Sequence, residues 1–198
     1  YKQYGNLKKA KTFFQLALDI AIITGDSINA SMIYNNLGVL NADWGNYDDA
    51  LNFYLKSLKI DEKKQRLRSL STTYNNIGII HYSLQDYDLA QTYYQKALEI
   101  NKKLGNKDGE ALQLMNIGIL HYFKNNYDSV FIHFKQAMYI WEKIGNLRRL
   151  AMIQSNLAEM YMEIEAYDNA IVYLSKSKKI YTQLKEVFDV IHTDLLMG

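Results

Sequence analysis

The chain of 198 residues repeats itself at a step of forty. Tyr34-Asn35-Asn36-Leu37-Gly38 returns as Tyr74-Asn75-Asn76-Ile77-Gly78, as Leu114-Met115-Asn116-Ile117-Gly118 and as Gln154-Ser155-Asn156-Leu157-Ala158. A second block, Gly45-Asn46-Tyr47-Asp48-Asp49-Ala50, keeps the same step through Tyr87-Asp88, Tyr127-Asp128 and Tyr167-Asp168. Self-similarity at a fixed period specifies stacked supersecondary units, each burying its apolar face on its neighbours, rather than a globule with one central core.

Residues 27–66 serve as the type unit. Ile28, Met32, Ile33, Leu37, Leu40 and Trp44 recur at three- and four-residue steps, which predicts an amphipathic helix. Gly45-Asn46 ends it, and Ala50, Phe53, Tyr54, Ser57, Leu58 and Ile60 carry the same periodicity into a second helix. Asn46 and its equivalents Asn6, Asp86 and Asn126 have N-capping side chains, which Ala166 lacks. Asp48, Asp88, Asp128 and Asp168 then fall in the first helical turn, where the macrodipole favours a negative charge. Gly25-Asp26, Gly105-Asn106 and Gly145-Asn146 punctuate the passage between units, whereas Gln65-Arg66 and Lys185-Glu186 predict more continuous helix at their joints. Gly38, Gly78, Gly118 and Ala158 recur at mid-helix, where Gly costs about 1 kcal/mol against Ala, and so imply a close helix crossing.

This organisation predicts one solenoid over residues 1–198: a partial repeat 1–26, repeats 27–66, 67–106, 107–146 and 147–186, and a partial terminal helix 187–198. Tyr1 aligns with Tyr161 and Gly198 with Gly38, both at mid-helix, so the register predicts further protein on either side.

Composition narrows the function classes. The absence of cysteine excludes disulfides, thiolate zinc sites and cysteine nucleophiles, and leaves both a reducing cytoplasm, the favoured reading, and a periplasm open. A formal charge of +2 offers no basic stripe for nucleic acid, and no run of eighteen apolar residues predicts a membrane span. His81 and His121 occupy equivalent positions, and they are expected to replace a Tyr161-type residue in inter-helix packing rather than to bind a metal. No phosphate-cradling loop or nucleophile motif is present, so the expectation is a non-enzyme without cofactor or metal.

The set Tyr74, Ile77-Gly78, His81, Tyr87, Ala90, Tyr94 and Ala97 resembles the tetratricopeptide repeat, with His81 departing at one aromatic position. Two further departures are the forty-residue period in place of 34, and the missing proline at the end of the second helix, where Glu62, Lys102, Glu142 and Thr182 stand. Six extra residues shared by two helices lengthen each by roughly 4.5 Å. The chain is thus similar to the longer-helix variety of kinesin light chains, bacterial peptide-pheromone receptors and the sensor portions of bacterial histidine kinases and transcription regulators. The resemblance implies an all-α, right-handed superhelical solenoid of antiparallel helix pairs whose first helices line a concave groove. It also implies a peptide or protein partner in that groove, either for a binding module or for the sensory region of a larger signalling protein.

Asn36, Asn76, Asn116 and Asn156 stand one residue before the buried Leu or Ile of each first helix, which aims them beside the core. An amide offers both donor and acceptor, matching the N–H and C=O of an extended peptide, and Asn35 and Asn75 double the row at one end. The same amides could instead tie one first helix to the next, and both readings stand at this point. Tyr82, Tyr122 and Phe123, with Leu112, Met115, Ile119 and Met152 beside them, predict an apolar middle to the groove; Glu159 and Glu163 predict an acidic end, and no inward Lys or Arg is expected.

Overall fold

The computed structural model describes the backbone of residues 2–197, and the side chains of all of these except 2–8, 187, 188 and 197. It is built of helices α1 (Lys2–Ile23), α2 (Ser27–Asp43), α3 (Tyr47–Lys63), α4 (Leu67–Ser83), α5 (Tyr87–Lys103), α6 (Lys107–Phe123), α7 (Tyr127–Ile144), α8 (Leu147–Glu163), α9 (Tyr167–Leu184) and α10 (Val187–Met197). No strand occurs among the described residues. The fold is an all-α, tetratricopeptide-like solenoid of helix pairs. It forms two compact units, Tyr1–Gly105 and Asn106–Gly198. In the first, α2 pairs with α3 and α4 with α5; in the second, α6 pairs with α7 and α8 with α9.

Helices α1 to α9 are each followed by a residue in the left-handed region. Gly25, Gly45, Gly105 and Gly145 take this role at φ of 65–75°, as the sequence predicts. The joints at Gln65-Arg66 and Lys185-Glu186 are corrections to the expected continuous helix. Gln65 (φ 54°) and Lys185 (φ 60°) adopt the same conformation without being glycine. The recurring close packing of successive helices fixes the reversal, and it outweighs the local steric cost of a side chain there. Conversely, α1 runs through Gly5 and Asn6 with no turn, a correction to the expected helix start at Asn6. The side chain of Asn6 lies outside the described residues. Asp86, Asn106, Asn126 and Asn146 cap their helices through the side chain, while Asn46 occupies the cap position without such a bond.

The small mid-helix residues mark the tightest crossings. A Cβ added to Gly38 would stand 2.4 Å from the Tyr54 ring, and one added to Gly78 would stand 2.6 Å from that of Tyr94. In the second unit Gly118 faces Phe134 in the same way. Ala158 is the exception: it carries a Cβ, and its core cluster has Leu174 at the position that Tyr54, Tyr94 and Phe134 hold in the other repeats. Leu37, Ile77, Ile117 and Leu157 are at most 2% exposed and set the buried register of each first helix. Ile28 and Met32, predicted on the apolar face of α2, are instead about half exposed.

Candidate functional site: the asparagine positions of the first helices

The first helices place the asparagines where backbone and core fix them, one residue before the buried anchor. In the first unit Asn36 is exposed and Asn35, Asn75 and Asn76 are half-buried. Asn35 Oδ1 accepts from Asn76 Nδ2 at 3.4 Å and from Thr73 Oγ1 at 3.3 Å, and Asn75 Nδ2 donates to Asn76 Oδ1 at 3.4 Å. The two bonds to Asn35 join α2 to α4, so part of the ladder does brace the stack. They are also long against the usual 2.7–3.2 Å for N–H···O, and therefore weak enough to be exchanged for a better partner. Asn36 makes no side-chain hydrogen bond among the described residues.

Beside Asn35 lies a cleft of about 560 Å³ lined by Met32, Leu67, Ser69, Thr72, Leu104, Arg66 and Arg68. Arg66 is held by Asp61 at 3.0 Å, which also accepts from Ser69. Arg68 is exposed. The expectation of no inward cation is thus corrected for the first unit: Arg66, the N-cap of α4, and Arg68, in its first turn, both line this cleft. The sequence signal was the Arg66-Leu67-Arg68 triplet at a joint without glycine, where continuous helix was expected and α4 instead begins. Tyr82 of α4 packs against Tyr87, ring centroids 6.2 Å apart, and burial pushes its hydroxyl pKa up.

In the second unit Asn116 and Asn156 are both half-buried. Asn156 makes no side-chain hydrogen bond among the described residues. Tyr122 of α6 donates its hydroxyl to Glu163 of α8 and packs edge-on against Phe123, centroids 5.3 Å apart. The bond to Glu163 is the main reason the Tyr122 pKa is pushed up to about 12, with desolvation and the Glu163 and Glu159 charges adding to it. Within this unit, Tyr122 and Phe123 therefore form one cluster with Glu163 and Glu159 rather than a separate end. Met115 is a correction: it is 6% exposed and belongs to the core. Leu112, Ile119 and Met152 are half-buried.

The histidines sit in ring stacks between paired helices. His81 lies parallel to Tyr93 at 5.5 Å, and His121 stacks on His133 at 5.1 Å. Desolvation lowers the His121 pKa, helped by the neighbouring His133 and Lys124. No group of three or more His, Asp or Glu side chains that could hold a metal ion occurs among the described residues. Nor is any described helix long and apolar enough to cross a membrane.

Comparison with known proteins agrees with this geometry. The tetratricopeptide repeat profile matches residues 1–63 and 69–143. No curated protein sequence matches the chain. Among solved structures, the chain is similar to BtubC (BKLC) from P. vanneervenii, at 24% identity and a TM-score of 0.82, over 93% of this chain and 76% of that one. Aspartyl phosphate phosphatase F from Bacillus subtilis gives 17% identity and a TM-score of 0.89, over 98% of this chain and 52% of its own. A signal transduction ATPase with numerous domains and a tetratricopeptide repeat sensor, from Pyrococcus horikoshii, gives 20% and 0.85, over 98% of this chain and 30% of its own. The chain thus spans about half of the phosphatase and less than a third of the ATPase. With the profile covering well over half its length, the chain belongs to the tetratricopeptide repeat family.

Proposed function

We propose that the chain is a non-enzymatic binding module that holds an extended segment of a partner protein along its first helices. The observation that carries this reading is the recurrence of one solvent-reaching amide, at Asn36, Asn76, Asn116 and Asn156, on four successive first helices. Asparagine is a poor helix former, and Asn36 and Asn156 have no side-chain hydrogen bond among the described residues to account for them. Within each unit, its asparagines hold the peptide backbone. Asn35 and Asn75 assist in the first unit, where Tyr82 receives a side chain. In the second, Tyr122 and Phe123 receive apolar side chains, and Glu159 with Glu163 favours a positive one. The family's general role in protein interaction supports the coarse reading.

A second reading, the sensory region of a larger signalling protein, is favoured by the likeness to an ATPase whose repeats are described as a sensor. The two are compatible, since a sensor of this fold also works by binding.

The test is the double substitution Asn76→Ala with Asn116→Ala, assayed against a peptide selected by display on the intact chain. Each neutral hydrogen bond contributes about 1 kcal/mol, so losing two weakens binding roughly thirty-fold. Undiminished binding in a folded double variant refutes the ladder. Weakened binding with an unchanged melting curve supports it.

A further inference from the structure

The two full repeats of the first unit carry a ring, Tyr34 and Tyr74, where the second unit has Leu114, which is buried, and Gln154. In the second repeat Tyr74 of α4 packs against Tyr93 of α5, with centroids 6.1 Å apart. The Tyr74 hydroxyl donates to Glu62 Oε1 of α3 at 3.2 Å. Lys96 Nζ sits 5.4 Å from the Tyr74 centroid and 5.2 Å from that of Tyr93. The first repeat builds the same clamp from Tyr34, Phe53 and Lys56. Eighty residues on from Tyr74, Tyr93, Lys96 and Glu62 stand Gln154, Tyr173, Lys176 and Glu142. Three of the four members are the same residue types, and the missing one is the ring.

The space of that ring is open. Gln154, Tyr173, Lys176 and Glu142, with Met138 and Tyr139, line a cleft of about 310 Å³ between α7, α8 and α9. Gln154 is 8% exposed, and its Oε1 has no hydrogen-bond partner. A buried acceptor left unsatisfied costs about 1–3 kcal/mol, so it is a point of demand for a donor. Tyr173 is stacked by Tyr161 at 5.7 Å and 13°, as His81 stacks on Tyr93, and by no second ring among the described residues. Lys176 Nζ stands 5.0 Å from the Tyr173 centroid, keeping the cation of the clamp in place. At the helix crossing, by contrast, the loss of a ring at Leu174 is matched by Ala158 in place of glycine. No such compensation occurs here.

We propose that this cleft docks a tyrosine side chain of a partner protein, which takes the place that Tyr74 occupies in the second repeat. The phenol ring packs against Tyr173 beside the Lys176 ammonium, a favourable cation–π arrangement. Its hydroxyl donates to Glu142, as Tyr74 does to Glu62. No ladder residue lines this cleft, so the proposal stands independently of the peptide reading above.

The probe is N-acetyl-tyrosinamide, titrated into the whole chain and followed by amide chemical shifts. The expected result is saturable shifts confined to α7, α8 and α9, with a dissociation constant on the order of 1 mM for so small a ligand. Gln154→Tyr supplies the ring from within, as the second repeat does, and should weaken binding at least about tenfold. Glu142→Ala changes an exposed side chain and leaves the core alone, so it decides the matter even if Gln154→Tyr fails to fold; a several-fold loss is expected. N-acetyl-phenylalaninamide, without the hydroxyl, should bind more weakly and ignore Glu142→Ala. No saturable shift up to about 10 mM would overturn the site. So would shifts mapping elsewhere, or undiminished binding in Glu142→Ala or in folded Gln154→Tyr. Equal affinity for the phenylalanine probe would overturn the assignment to tyrosine.

Discussion

The second and fourth repeats meet the same packing demands with different side chains, and they meet them unequally. At the crossing of paired helices, the second repeat sets Gly78 under the Tyr94 ring, and the fourth sets Ala158 beside Leu174. Volume lost on one side is returned on the other, as close packing requires. On the outer side, the second repeat closes its aromatic clamp with Tyr74, and the fourth leaves Gln154 over an open cleft. A swap that is compensated reports on the core. An uncompensated one marks a place where something other than packing decides the residue.

The sharpest way to break this comparison is to exchange the crossing residues. Gly78→Ala would gain helix propensity on a surface, but here its Cβ would stand 2.6 Å from a ring that is 3% exposed. Overpacking of this kind costs about 1–3 kcal/mol. Adding Tyr94→Leu recreates the Ala158–Leu174 pair and should recover part of that loss. Urea unfolding of the two single variants and the double variant measures the coupling. Additive losses would show that the two positions are not one packing unit.

A smaller contrast separates the histidines. His81 has the Asp86 carboxylate 3.9 Å from its Nδ1, while His121 has His133 and Lys124 as neighbours. The His121 pKa is lowered, so its contribution to stability is intact above the unfolded value of about 6.5 and is lost as pH falls from there through the folded value. The protection of α6 and α7 amides, corrected for intrinsic exchange, should therefore decline on acidification from about pH 7.5 to about pH 5.5. His121→Tyr, the residue type found at Tyr161, should remove that part of the decline. An acid response unchanged by the substitution would place its origin elsewhere.

Much of this was legible in the sequence because the repeat prints each structural demand several times. The buried register of Leu37, Ile77, Ile117 and Leu157, the crossing glycines and the capping Asp86 and Asn126 could all be read from periodicity and residue type. Two kinds of feature were not. Backbone reversals at Gln65 and Lys185 use residues with no preference for positive φ, so only tertiary packing reveals them. Pairings between helices are equally silent: that Tyr122 meets Glu163, that Asn76 reaches Asn35, or that Gln154 leaves a cleft depends on distances across the stack. The arginines beside Asn35 were missed for the same reason, because a turn brings them to a cleft that lies between elements.

The ladder itself is tested most directly at Asn156, because bracing and binding predict different results there. Asn76 holds a long bond to Asn35, so its removal mixes the two effects; Asn156 holds none among the described residues. The decisive measurement is the affinity of Asn156→Ala for a display-selected peptide, taken together with its thermal midpoint. The account predicts affinity weakened roughly fivefold, for one hydrogen bond of about 1 kcal/mol, at an unchanged midpoint. Full affinity at an unchanged midpoint would contradict it.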